Sequence, residues 1–227
     1  MARTVNPATH AIRRDAFVEA AQRLMTVKGY AQMSIQDVLD DLGASRGAFY
    51  HYFDSKAALR EAVLERMVDG AMSAVLPLVE EPGLPALDRL QALFNGIARW
   101  KGERTELLTA ILEVWSADEN APVRERYRQG IVQRMTPVLA RIIAQGRTEG
   151  TFVTGFPIPV ARVLASLILG TNDTALELYY ARRAGTVTFE EVEQQLAAFA
   201  DAFDRILGVP SGTWPIADRA ILRQWFG

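Results

Sequence analysis

The chain has 227 residues, 49% of them apolar, enough to bury one large core or two small ones. Its formal charge of −2 excludes a wholesale polyanion binder. The lack of cysteine excludes a disulfide framework, a thiol nucleophile and a thiolate metal site. No run reaches the ~18 charge-free apolar residues of a membrane span. The stretch MARTVNPATHAIRRD has no apolar secretion-signal core, so a cytoplasmic location is expected.

The charge is uneven. Residues 1–60 hold 8 Lys/Arg and 6 Asp/Glu, a net +2, which leaves −4 for the remainder. The sign suits an N-terminal surface for an anionic partner, although ordinary surface charge explains so small a difference equally well.

Apolar spacing is helical almost throughout, and the expected fold class is all-α. A first helix over 10–28 places Ile12, Ala16, Phe17, Ala20 and Leu24 on one face, and Gly29 ends it. Ser34 opens a second helix, with Asp37 three residues on as a capping-box partner and Ile35, Val38, Leu39 and Leu42 as the apolar face. Gly43 stops it. Ser45 is a natural N-cap for a short third helix. Asp54-Ser55 breaks the chain again, and a fourth helix runs from Lys56 to about Leu76, where Pro77 is expected to end it. The span 34–53 has the length of a helix-turn-helix unit, whose second helix enters the DNA major groove.

EEPGLPALD reads as a loop. Further helices are expected over about 85–101, 104–116, 121–149, 157–184 and 188–208, with Pro137 kinking the third of these. GRTEGTFVTGFP (146–157) reads as a loop. Val160, Val163, Leu164, Leu167, Ile168 and Leu169 form a nearly continuous run, which suggests burial on most sides. Phe189, Val192, Leu196, Phe199, Phe203, Ile206 and Leu207 form a helical stripe. Two such helices either pack on a twofold mate as a four-helix bundle or complete the core of one chain. The tail 210–227, with Trp214, Ile216, Ile221, Leu222, Trp225 and Phe226, is too apolar to be free and is expected to fold back.

GASRGAFYHYF (43–53) is the densest polar-aromatic stretch. On a helix starting at Ser45, Phe49 and Phe53 share a face and plug into the groove between the helices led by Phe17 and Leu39. Tyr50, His51 and Tyr52 cannot all join them, so at least two point polar tips outward, where they suit phosphate oxygens. Arg46 has the reach and fork for a guanine O6/N7 pair, and Gly47 and Ala48 let the backbone approach the bases. A merely solvated aromatic surface is the bland alternative.

SIQDVLDDLGASRGAFYHYFDSKAAL (34–59), with its lead-in AAQRLMTVKGYAQMSIQDV, resembles the DNA-binding region of TetR-family transcriptional regulators. The shared pattern is an apolar first helix, a Lys-Gly-Tyr break, a Ser/Thr-capped second helix, Leu-Gly, Gly-x-Phe-Tyr-x-His/Tyr-Phe and Ser-Lys-x-x-Leu. The resemblance covers about residues 8–60. It implies an N-terminal three-helix DNA-binding domain (8–68, with its helix-turn-helix unit at 34–53). It also implies a helical effector-binding and dimerisation domain (69–209), followed by the packed tail (210–227). By function it implies a regulator, usually a repressor, that binds a palindromic double-stranded operator as a homodimer through helices 157–184 and 188–208. A small apolar or amphipathic effector would release it, with no cofactor. Carried over by position, Gln36, Arg46, Gly47 and Ala48 would face bases. Tyr50, His51, Tyr52 and Lys56 would hold phosphates, with Ser34 and Ser45 at helix starts. Family members often have Ser or Thr where Ala48 stands, so a contact there would be apolar. The motif's final histidine is Tyr52 here, with His51 one place earlier.

Candidates to line an effector pocket are Phe94, Trp100, Leu108, Leu112, Trp115, Tyr127, Met135 and Phe152, with Glu113, Asn172 or Asp173 as polar anchors. Plain core packing explains each aromatic as well. Asn172-Asp173 interrupts an apolar helix and must find partners: across a dimer, in a pocket or in solvent. Catalysis is not expected. Two histidines, His10 and His51, offer no triad or metal cluster, and GRTEGTFVTG lacks the strand that a nucleotide loop follows. The alternative to a regulator is a helical small-molecule-binding or interaction protein with a relic head, to which Asp37, Asp40 and Asp41 lend weight.

Overall fold

The computed structural model describes residues 7–115, 121–213 and 219–227, and among these every regular element is an α-helix. In chain order they are α1 (Pro7–Lys28), α2 (Ile35–Leu42), α3 (Arg46–Tyr52), α4 (Lys56–Val79) and α5 (Ala86–Gly102). Then follow α6 (Thr105–Trp115), α7 (Ala121–Thr148), α8 (Pro157–Arg183), α9 (Phe189–Leu207) and α10 (Arg219–Phe226). The described residues fall into two compact units. One holds residues up to Gly70 together with Arg104–Tyr127, and the other holds Ala71–Glu103 with Arg128–Gly227. The division falls within α4 and α7, so α6 groups with the N-terminal helices.

Local hydrogen bonding sets the helix ends of the first unit. Ser34 Oγ accepts the Asp37 amide at 3.1 Å and Asp37 Oδ2 accepts the Ser34 amide at 2.7 Å, a complete capping box. Gly43 ends α2 at φ +59°, left-handed backbone that glycine adopts without strain. Ser45 caps α3 by accepting the Ala48 amide at 3.2 Å. The buried face of α1 is Phe17, Val18, Ala20, Ala21 and Met25. Ile12 is 70% exposed and Leu24 half-buried, so the face is turned from the expected one. Periodicity located the stripe, but its edges depend on where α2 and α6 pack against α1.

Pro77 does not end α4, which continues to Val79. The lost amide costs about 3 kcal/mol in a helix interior. Here it falls in the last turn, where Val75 and Val79 are buried in the core of the second unit. Arg89 caps the exit by donating to the carbonyls of Val79, Glu81 (2.8 Å) and Leu84 (2.9 Å). Likewise α7 runs through Pro137 as one helical element and reaches Thr148. The glycines of GRTEGTFVTG form its exit. The Gly146 carbonyl accepts the amides of Thr151 (2.8 Å) and Phe152 (3.0 Å). A Cβ at Gly146 would lie 2.1 Å from the buried Phe152 ring.

The core of the second unit gathers Leu90 and Leu93 of α5, Leu139 and Ile143 of α7, Leu164 of α8 and Phe203 and Leu207 of α9. The apolar run of α8 is not enclosed on most sides. Ala161, Leu164, Ala165 and Leu169 are buried, whereas Val163 is 55% exposed. The α10 segment packs on α8 and α9, where Phe226 joins Leu178, Val192 and Leu196 in a second cluster. Arg182 fixes it by donating to the Phe226 carbonyl at 2.9 Å, and Arg219 pairs with Glu193 at 2.6 Å. Trp214 and Ile216 lie outside the described residues.

Phe226→Ala should lower unfolding stability by about 3 kcal/mol. Chemical denaturation checks this, and an unchanged midpoint would show that α10 adds nothing to its cluster.

Candidate nucleic-acid interface

The third helix is short, and an isolated seven-residue helix is not stable in water. Aromatic packing holds it. Phe49 is fully buried, 5.8 Å from Phe17 edge-to-face and 5.8 Å from Phe53; Phe53 is 6.2 Å from Phe17. This is the groove-filling pair expected from the four-residue spacing. Such aromatic contacts each add about 0.5–1.5 kcal/mol beyond burial of area.

With Phe49 inward, the opposite side of α3 is open. Arg46 and Gly47 are exposed and Ala48 half-buried. Among the described residues no carboxylate pairs with Arg46. Gly47 is not required by the fold, since a Cβ there would meet only Ser45 Oγ at 3.9 Å and its φ is not positive. Tyr50 is 51% exposed, its ring edge-on to Phe49 at 5.3 Å, and His51 is exposed. Tyr52 is half-buried, 5.7 Å from Phe17. Of the three polar aromatics, two therefore reach solvent fully and one leans on α1.

The acids of α2 are engaged. Lys28 Nζ donates to Asp37 at 2.7 Å, and Arg23 pairs with Asp41 at 2.7 Å. Gln36 Nε2 donates to Asp40 at 2.8 Å. The Lys28 hydrogen bond, followed by the amide and hydroxyl of Ser34, holds the Asp37 carboxyl well below the usual carboxylate range. Each acid thus has a donor, which weakens the repulsion they would present to an anionic strand.

Lys56 opens α4, where Ser55 Oγ accepts the Ala58 amide at 3.0 Å. Lys56 Nζ lies 3.3 Å from the Ala31 carbonyl and 4.3 Å over the Tyr30 ring. The Arg60 guanidinium stacks on the same ring at 4.8 Å and is 7% exposed. Partial burial, then the Arg60 charge, lowers the Lys56 pKa, and Asp37 opposes this. Tyr30 and Arg60 were not singled out in the sequence. The i,i+4 spacing of Lys56 and Arg60 was the available signal. His10 was likewise passed over: its ring is 5.4 Å from His51 and 4.7 Å from Tyr52. The stripe His10, Arg14, Phe17, at spacings of four and three, carried that signal.

The effector candidates are divided between the units: Leu108 and Tyr127 belong to the first, and Phe94, Trp100, Met135, Phe152, Asn172 and Asp173 to the second. Phe94 stacks edge-on to Phe203 at 5.5 Å and Phe152 is buried core. Leu108 and Trp100 are half-buried and Met135 is buried. The side chains of Leu112, Glu113 and Trp115 lie outside the described residues. Tyr127 is half-buried, and loss of water pushes its hydroxyl up to about 12. Asn172 accepts from Lys101 Nζ at 2.9 Å, and burial lowers the Lys101 pKa. Asp173 pairs with Arg128. So both residues of the Asn-Asp interruption find partners within their own unit. A cavity of about 190 Å³ lies elsewhere in that unit, floored by Val79, Val138 and Ile142 and rimmed by the 3.0 Å Arg141–Glu80 pair. Among the described residues no helix is long and apolar enough to cross a membrane, and no group of three or more His, Asp or Glu is placed to hold a metal ion.

Residues 17–63 match the family described as bacterial regulatory proteins, tetR family. The chain is similar to the HTH-type transcriptional regulator EthR of Mycolicibacterium smegmatis, 28% identical over 61% of this chain and 62% of that protein. It is also similar to the nucleoid occlusion factor SlmA of Vibrio campbellii, 27% identical over 82% of this chain and 94% of that one. Among solved structures, a TetR transcription regulator from Haloarcula marismortui superposes with a TM-score of 0.59 at 27% identity, covering 74% of this chain and 88% of that one. The matched segment contains the capped α2, the glycine turn, the aromatic-pinned α3 and the start of α4. Residues 17–63 thus carry a segment of the tetR regulatory family, and the chain is similar to DNA-binding transcriptional regulators that contain it.

Proposed function

We propose that the protein is a repressor that binds a palindromic operator as a homodimer and lets go when a small apolar or amphipathic effector enters its helical domain. The observation that carries the DNA-reading part is the first turn of α3. Arg46 is exposed with no carboxylate partner among the described residues, beside a glycine for which the fold has no steric need. In this reading Arg46, Gly47, Ala48 and Gln36 meet base edges. Tyr50, His51, Tyr52 and Lys56 hold phosphates, and Ser34 and Ser45 order the helix starts that face the backbone. In this reading residues 8–68 serve DNA binding and 69–209 serve effector binding and dimerisation, followed by the tail 210–227.

The exposed side of α8 and α9 supports pairing of two copies. Val163 and Ser166 of α8 and Ala197 and Ala198 of α9 are exposed, and all four are small enough for close helix packing. The effector is proposed to lie in the second unit, against Phe94, Trp100, Phe152 and Asn172. The apolar composition of the second unit's core supports this.

The testing experiment is fluorescence anisotropy of the protein on the DNA flanking its own coding region, at two salt concentrations, with random duplex as competitor. Tight, salt-steep, competitor-resistant binding is expected. Random-sequence selection that returns no enriched site would sink the reading. Arg46→Ala should cost about 1–3 kcal/mol on the operator and relax one base pair; equal loss on operator and random DNA would remove its base-reading role. Lys56→Ala should weaken both DNAs alike and lower the salt slope by about one. Gly47→Ala should separate fold from function. Thermal melting should show the free protein stabilised by up to about 1 kcal/mol. Operator affinity should fall about tenfold, or ~1.4 kcal/mol, because a methyl group then stands where the backbone meets DNA.

A further inference from the structure

The only two histidines of the chain are 41 positions apart in sequence, yet α1 and α3 bring them together. The His10 and His51 rings are 5.4 Å apart at 72°, and the Tyr52 ring closes the group at 4.7 Å and 4.9 Å. His51 is exposed and His10 partly so. Among the described residues, neither imidazole has a hydrogen-bond or ion-pair partner.

The surrounding charge is cationic. On α1, Arg14 lies one turn from His10 on the same side and rests 5.2 Å over Phe53, and Arg13 is exposed beside it. Asp15 and Glu19 lie about 140° and 180° round the helix from His10. On α3 the neighbours are Arg46, Tyr50 and Tyr52, and Asp54 follows the helix. On α2, which also packs against α1, Asp37 and Asp41 are already paired with Lys28 and Arg23. Glu106 of α6, the other helix packed on α1, pairs with neither imidazole.

We propose that His10 and His51 together form a proton-linked phosphate seat, so that DNA binding takes up protons and tightens as pH falls. The inference rests on the DNA-binding reading above and adds His10, a residue of α1, to the contact surface. Imidazole is the side chain that changes charge between about pH 5 and 8. A phosphate oxygen set between the two rings accepts an N–H from each, and hydrogen bonding to an anion favours the charged form of an imidazole. The charged form is then favoured in the complex. The sign follows: the extra affinity is present at low pH and is lost as pH rises through the range where the bound imidazoles give up their protons.

The test is anisotropy on the operator duplex at constant ionic strength between about pH 6 and 8, with a chelator present. Calorimetry in two buffers of different ionisation heat counts the protons. Wild type should gain about tenfold in affinity per pH unit for each proton taken up. His10→Gln should flatten that slope and lower the proton count. His10→Arg, whose charge is fixed, should also lower the count while keeping a cation at the seat. Operator binding that is salt-steep at every pH without proton uptake would overturn this proposal and leave the DNA-binding reading standing. Wild-type uptake in His10→Gln would overturn the assignment to the pair. Absence of binding at any pH would remove both readings.

Discussion

The head depends on the burial of one ring. Phe49 sits in the middle of a helix too short to persist alone, and Phe17 and Phe53 enclose it. Because Phe49 can point only inward, the rotation of α3 about its axis is fixed. Arg46, Gly47, Tyr50 and His51 are then displayed by default. Apolar packing therefore does the orienting, and no hydrogen bond from a displayed side chain is spent on holding the helix. Those groups stay available for a partner. The single side chain that leans back, Tyr52, does so on Phe17 and His10, and that contact ties the N-terminal turns of α1 to the same surface.

Electrostatics refines what packing exposes. A head of net charge +2 over its first sixty residues is a weak attractor for DNA unless its acids are quenched. Two of the three on α2 are offset locally, Asp37 by Lys28 and Asp41 by Arg23, while Asp40 accepts only a hydrogen bond from the neutral Gln36. Exposed pairs of this kind contribute little stability. Their effect here is on the field: Asp37 and Asp41 are offset at short range, while among the described residues Arg46 shares its charge with no carboxylate. Lys56 is intermediate, partly tethered to Ala31 and Tyr30 and crowded by Arg60. Its neighbourhood lowers the cost of giving it a phosphate, because an anion would also relieve the repulsion between the two cations.

What could be read from the sequence was what is decided within a few residues. The Ser34–Asp37 box, the Gly43 stop and the Ser45 cap are local hydrogen-bonding facts, and spacing of four was enough to pair Phe49 with Phe53. The failures share a different origin. Ile12 was assigned to the buried face because periodicity gives the direction of a stripe and not how far along the helix a partner covers it. Pro77 reads as a terminator because the local rule ignores what the next turn buries; Val79 and the capping Arg89 outweigh it. His10 beside His51, Arg60 beside Tyr30 and Lys101 against Asn172 are contacts between segments far apart in sequence. Only the i,i+4 stripes hinted at the first two. Residues meant for an effector pocket were legible only as apolar and aromatic, and such side chains look alike whether they face a ligand or one another.

The second unit shows why that ambiguity is physical. Helix α8 carries apolar surface that its own chain leaves open: Leu164 and Leu169 are buried, but Val163 is exposed on the same helix. A run that is apolar on most sides signals that something covers each side, without saying what. Small residues such as Ala197 and Ala198 add little transfer energy individually, yet they permit close helix approach, and the gain then comes from many weak contacts over the whole length. Pairing through such a face is sensitive to shape more than to any one residue.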